Sequence, residues 1–348
     1  MPIATPTTIS AAITTRLYVH MREFYPRRAT RGVGCAPEAL VRLRRMAMMA
    51  AGAFVLVAFH ASAGAQALFS RDAPKEPGAP SWAIERAKLP PFVPPRTADG
   101  VPDFRGRWAG TPGGDDIEEH DYVDISSPPE ETFIADPPGG KVPYQPWALA
   151  KRNEIRAGLA RGWPGQTGER LYADPQTYCL YMTPRATYRG GFDIQQGPGY
   201  VLVLYNFSHY SRYIPTDGRP HALSSNVKLW MGHSRGRWDG HTLVVDVTNV
   251  NGLNWLDQVG NFVSENVHLV ERFTLVHPNI IDYEVTIDDP QVFTRPWTIR
   301  LPFRRAAAAQ GDRYATEMWE HACHEGNKAG EHMRGLGFKW FPGVGPPR

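Results

Sequence analysis

A histidine held beside a carboxylate is prepared for proton transfer, because the carboxylate fixes the imidazole tautomer and raises its basicity. The stretch Trp230–Asp257, WMGHSRGRWDGHTLVVDVTNVNGLNWLD, supplies the two residue types on alternating sequence. Read as two strands joined by a two-residue turn at Asp239-Gly240, it sets His233 directly opposite Asp246. Arg235, Arg237, Met231, Thr242, Val244 and Thr248 share that face. The other face, with Gly232, Ser234, Gly236 and Trp238 against His241, Leu243, Val245 and Val247, is mostly apolar or small. The chemistry expected is acid–base catalysis. His233 is the general base, Asp246 orients it, and His268 or Asp257 supplies the complementary acid. The alternative is a solvated cross-strand ion pair of little energetic weight. If the sheet closes on itself, the polar face would instead point into its lumen.

Other residues could complete such a site. In Ser264-Glu265-x-x-His268-x-x-Glu271-Arg272, strand alternation puts His268 and Arg272 on one face and Glu265 and Glu271 on the other. His268 then reads as a second acid/base, and Glu265 as a substrate contact. The Asn/Gly-rich segment NVNGLNWLDQVGN carries Trp255 and Asp257 and reads as a lid or a substrate contact at a barrel mouth, although Asn and Gly are also plain turn formers. Arg185, His209, Tyr210 and Arg235 are further polar candidates for substrate binding. Glu320-His321-x-x-His324-Glu325, with His332, has the most metal-like composition. Residues 321 and 324 fall on opposite faces of a strand, however, and neither HExxH nor a paired CxxC is present, so no metal is assigned. The sequence has no GxSxG elbow, no P-loop and no dinucleotide fingerprint in strand–turn–helix context. No organic cofactor is expected, and serine hydrolase, NTPase and dehydrogenase chemistry are disfavoured.

The elements that must position these residues are mostly strands. Gly 33 and Pro 32 suit short strands and turns, and Trp 10, Tyr 14 and Phe 15 suit sheets. From about Arg185 the pattern runs strand after strand: FDIQQ, YVLVLYNF, SHYSRYIP, the hairpin above, HLVERFTLV, IIDYEVTID, PWTIRLPF and a last strand near Tyr314 to His321. Eight or nine antiparallel strands predict a meander closing into a calycin- or lipocalin-like barrel, with a two-sheet sandwich as the alternative. Residues 68–101 are Pro-rich and read as an extended strap. Residues 145–161 predict one peripheral helix, with Pro146 in its first turn and Leu149, Ile155 and Leu159 as its apolar stripe.

Residues 1–67 read as a leader. Arg42, Arg44 and Arg45 precede an apolar run from Met46 to Phe59, and Ala63-Gly64-Ala65 and Ala65-Gln66-Ala67 are small-x-small cleavage sites. A membrane anchor is the alternative, but the run is short for a span. The start codon is open, with Met46 or a neighbour as the competing choice. The single folded domain is then 102–348, periplasmic or secreted, with no stable membrane span after processing. The leader holds 8 of the 38 basic and 2 of the 35 acidic residues, so the net charge of +3 becomes −3 without it. That balance, with no basic stripe, argues against nucleic acid as a partner. Cys179 and Cys323 remain, and two cysteines in an oxidising compartment most simply pair, with two separate buried thiols as the alternative.

Taken together, PDFRGRW at 102–108, WMGHSRGRWDGHTLVVDVTNVN at 230–251, WLD at 255–257, SENVHLVERF at 264–273, DYEVTIDDP at 282–290 and TRPW at 294–297 resemble a family of exported bacterial β-rich proteins. Its usual form has Asp after the turn glycine, where this chain has His241. The resemblance implies one exported β-rich domain and brings no assigned activity. The function expected from the residues is a cofactor-independent lyase, isomerase or hydrolase acting on a small, fairly apolar molecule inside the barrel. A non-catalytic lipocalin-like carrier and an envelope interaction module that docks through its strap are the alternatives. The oligomeric state is open.

Overall fold

The computed structural model describes residues 82–109, 116–118, 132–159, 171–306, 318 and 320–339. Residues 1–67, read above as a leader, residues 68–81 and most of the expected last strand lie outside them. Nine antiparallel strands form a sheet that nearly closes into a barrel. In chain order they are β1 (Gly106–Ala109), β3 (Phe192–Gly197), β4 (Tyr200–Tyr205), β5 (Ser211–Pro215), β6 (His233–Asp239), β7 (Thr242–Thr248), β8 (His268–His277), β9 (Ile280–Asp288) and β10 (Trp297–Arg305). The short β2 (Ile134–Asp136) pairs with β10. The order around the barrel is β5-β4-β3-β1-β10-β9-β8-β7-β6. It is therefore two meanders joined by β1, which sits between β3 and β10.

Period-two alternation sorts each strand. Leu243, Val245 and Val247 of β7, Leu269, Phe273 and Leu275 of β8, and Ile281, Tyr283, Val285 and Ile287 of β9 are buried, while most of their outward neighbours are partly exposed. Trp108, Phe192, Tyr205, Tyr283 and Phe303 meet inside, and the Phe192 and Phe303 rings lie edge to face at 5.1 Å. The edges of β5 and β6 meet through side chains. Arg212 Nε donates to Ser234 Oγ at 2.8 Å, and the guanidinium pairs with Glu271, to which Tyr283 Oη also donates at 2.8 Å. Gly236 permits this approach. A Cβ there would meet Ile214 Cγ2 and Thr216 Cγ2 at 2.9 Å.

The described part of the strap, residues 82–101, includes a helical turn, α1 (Trp82–Lys88), and does not run extended throughout. It lies on the protein's own barrel. Trp82 Nε1 and Arg300 both donate to Asp282, and Glu85 pairs with Arg304. The peripheral helix α2 (Pro146–Ala157) starts at the expected proline, and Ile155 and, just past its end, Leu159 are buried as expected, together with Ala148 and Arg152. Leu149 is exposed instead, and Arg152 pairs with Glu118. Arg185 opens a helical turn, α3 (Arg185–Arg189), not a strand. Cys179 and Cys323 are joined in a disulfide. Cys323 lies in a segment without strand structure among the described residues. That segment continues to α4 (Ala329–Gly335).

The hairpin register differs by two residues from the sequence reading. His233 lies opposite Thr248, Arg235 opposite Asp246, and Asp239 opposite Thr242. The turn residues are Gly240 and His241. Only Gly240 has positive φ, at 60°, which is the type II′ pattern with glycine in first place. A shift of two preserves faces, so His233 and Asp246 stay on one side as diagonal neighbours.

The buried Arg212–Glu271 pair makes a stability prediction. Removing one partner strands the other charge in the core, so Glu271→Ala should cost about 3–5 kcal/mol in urea unfolding. An unchanged unfolding midpoint would show that the pair does not hold the seam.

Candidate active site

Closure buries the apolar face of β6–β8 and turns the polar face outward. His233, Asp246 and His268 therefore stand on the outside of the barrel, not in its lumen. They are joined by His221, from the loop between β5 and β6. His221 Nε2 lies 2.8 Å from Asp246 Oδ1, and His268 Nε2 lies 2.8 Å from Oδ2. His221 Nδ1 lies 2.8 Å from His233 Nδ1. Thr248 Oγ1, 3.3 Å from the same nitrogen, gives its own hydrogen to Asn249 Oδ1.

These contacts assign the protons. A carboxylate only accepts, so His221 and His268 each carry hydrogen on Nε2. Neutral His221 then accepts at Nδ1 from His233 Nδ1–H. His233 keeps its lone pair on Nε2, which has no hydrogen-bond partner among the described residues. The chain His233–His221–Asp246 has the arrangement that could serve as a base, a relaying imidazole and an orienting carboxylate, and His268 shares that carboxylate. Burial first, then the Arg235 charge and the neighbouring His221 imidazole, lower the His233 pKa from 6.5, which favours the neutral ring. The cluster is open, with side-chain exposure of 25% at His221 and 43% at both Asp246 and His268.

The loop that carries His221 is tied at several points. Arg235 Nε donates to Pro220 O at 3.0 Å, and Asn249 Nδ2 donates to Ser224 O and Val227 O at 2.8 Å each. Lys228 Nζ reaches the Glu265 carbonyl, which brings Glu265 near the loop by its backbone while its side chain stays exposed. Sequence reasoning missed His221. It sits in an irregular segment where no periodicity marks a face, and only its nearness in sequence to the β6 histidine hinted at it.

Other expected residues lie elsewhere. Trp255 and Asp257 are completely buried, so their segment is a packed wall and not a lid. Asp257 accepts from the backbone of Ile117, Val259 and Asn261 at 3.0–3.2 Å and from the Asn261 side chain. Burial and the Asp116 carboxylate push its pKa up to about 7, against the pull of Asn261 and Arg152. Arg185, also fully buried, grips Asp174 with two hydrogen bonds of 2.7 and 2.8 Å. His209 Nε2 accepts from the His321 backbone at 2.8 Å, and Tyr210 donates to the Cys179 carbonyl at 3.3 Å. Each of these groups braces the fold. Among the described residues no three His, Cys, Asp or Glu side chains gather as a metal-holding set, and no helix is long and apolar enough to cross a membrane.

No family model, curated protein or solved structure matches this chain. The reading of the site rests on its geometry alone.

Asp257 gives a pH prediction. Its folded pKa lies above its unfolded value of 3.8, so its stabilising contribution is complete below that value and is lost as pH rises through about 7. Wild type should lose stability relative to Asp257→Asn between pH 4 and pH 7.5, read as urea midpoints. Parallel pH curves for the two proteins would show that Asp257 ionises normally.

Proposed function

We propose that the protein is an exported, cofactor-independent acid–base enzyme, a lyase, isomerase or hydrolase, working at the outer-face histidine site. The observation that carries this reading is the unbroken chain of 2.8 Å contacts from His233 through His221 to Asp246. His233 Nε2 takes the proton from substrate. The positive charge that results is shared with His221 and stabilised by Asp246. His233 Nε2–H then returns the proton to the product, while His268, on the far oxygen of the same carboxylate, helps to hold Asp246 in place. Leu223, Val227 and Leu229 are exposed on the His221 loop and suit a small, fairly apolar substrate. A carrier reading is less well supported, because aromatic rings occupy the barrel interior. The interaction-module reading loses the described part of its strap, which is bound to the barrel itself.

The test is turnover of a panel of short-chain p-nitrophenyl esters and enolisable ketones. His233→Ala should abolish turnover without changing the melting temperature. His221→Ala should lower kcat by about 10²-fold or more, within the roughly 10²–10⁴-fold range of general acid–base assistance. Because the base works unprotonated and its pKa is lowered from 6.5, kcat/KM should rise with pH below that value and be flat above it. Turnover that survives His233→Ala removes His233 as the base.

A further inference from the structure

Arg235 stands directly across the ladder from Asp246, yet the two form no ion pair. Asp246 has both oxygens taken by His221 and His268. Arg235 instead spends Nε on the Pro220 carbonyl at 3.0 Å and Nη1 on the Ser234 carbonyl at 3.2 Å. Both are neutral acceptors, and Nη2 has no partner among the described residues. The other two arginines on this face, Arg237 and Arg272, both reach Asp239 at 3.9 and 3.3 Å. Arg235 is therefore the outward guanidinium of β6–β8 whose charge no carboxylate balances. Two hydrogen bonds hold it in place, and it lies close enough to His233 to depress its basicity. The apolar side chains of Leu223, Val227 and Leu229 are exposed on the loop that Arg235 pins.

We propose that Arg235 is the anion anchor of this site, and that the molecule bound there carries one carboxylate on a short apolar body. The inference rests on the acid–base reading for the statement that this molecule is the substrate. The binding itself requires no turnover. A single uncompensated guanidinium beside the shared Asp246 carboxylate suits a monoanion better than a more highly charged group, which Asp246 would repel. A planar guanidinium with Nη2 unpartnered among the described residues can donate to a carboxylate oxygen while the chain behind lies along the loop.

The probes are hexanoate and its neutral counterpart hexanamide, followed by NMR at the Arg235 Nε–H and His233 Cε1–H signals. Hexanoate should shift both saturably, and hexanamide at the same concentration should shift neither. Arg235→Gln should weaken hexanoate about tenfold or more, the scale of one charge-assisted hydrogen bond. Arg235→Lys, which keeps the charge but gives up the Nε contact with the loop, should weaken it less. His233→Ala should retain hexanoate binding, which separates this site from the fate of the catalytic reading. The proposal falls if hexanamide binds as well as hexanoate, if hexanoate produces no shift, if Arg235→Gln leaves its affinity unchanged, or if Lys and Gln at 235 weaken it equally.

Discussion

The ion pair between Arg212 and Glu271 does what backbone hydrogen bonds do everywhere else around this barrel. Strands β5 and β6 are the ends of the sheet order and share no ladder. Their junction is made by one guanidinium that reaches from β5 to Ser234 of β6 and Glu271 of β8. With that junction in place the inward face is shielded from water and can be filled with large rings. With the inward face filled, every polar side chain on the alternate positions must stand outside. The location of the histidine cluster follows from that closure.

The cluster in turn shows how a ladder and a loop divide the labour of building a site. Strand pairing places His233, Asp246 and His268 on a rigid surface, but as diagonal neighbours. The ladder alone does not join His233 to the carboxylate. A side chain from outside the sheet has to enter, and His221 does so with both ring nitrogens engaged. Its loop is pinned by Arg235 and Asn249, which belong to the strands it covers or to their ends. The proposed base and the proposed anion anchor, His233 and Arg235, thus lie two positions apart on a single strand.

Much of this architecture is legible from alternation. The β6–β10 strands, their inward residues and the shared face of His233, Asp246 and His268 all follow from a period of two. The register does not, because Asp-Gly and Gly-His are both admissible two-residue turns, and the choice depends on which residue takes positive φ. A glutamate among Leu269, Phe273 and Leu275 on one strand face was a readable sign of a buried charge, yet its partner Arg212 lies 59 positions away and has no local signal. Trp255 and Asp257 misled for the opposite reason. Asn and Gly usually mark an exposed loop, and here they shape a buried one whose polar groups are satisfied internally. His221 belongs to the same class, since only tertiary contacts give an irregular segment its position.

The position of β1 sets the order of events when the chain is made. Its two neighbours are β3 and β10, and Trp108 faces Arg305 across the second of these. Synthesis runs from the N-terminus, so β1 can meet β3 early but waits for β10, and the strap that precedes it waits as well, because Trp82 and Glu85 bind β9 and β10. Such long-range closure is slow compared with local pairing. The aromatic core inside the barrel therefore stays incomplete until β10, the last strand in the sequence, has been made.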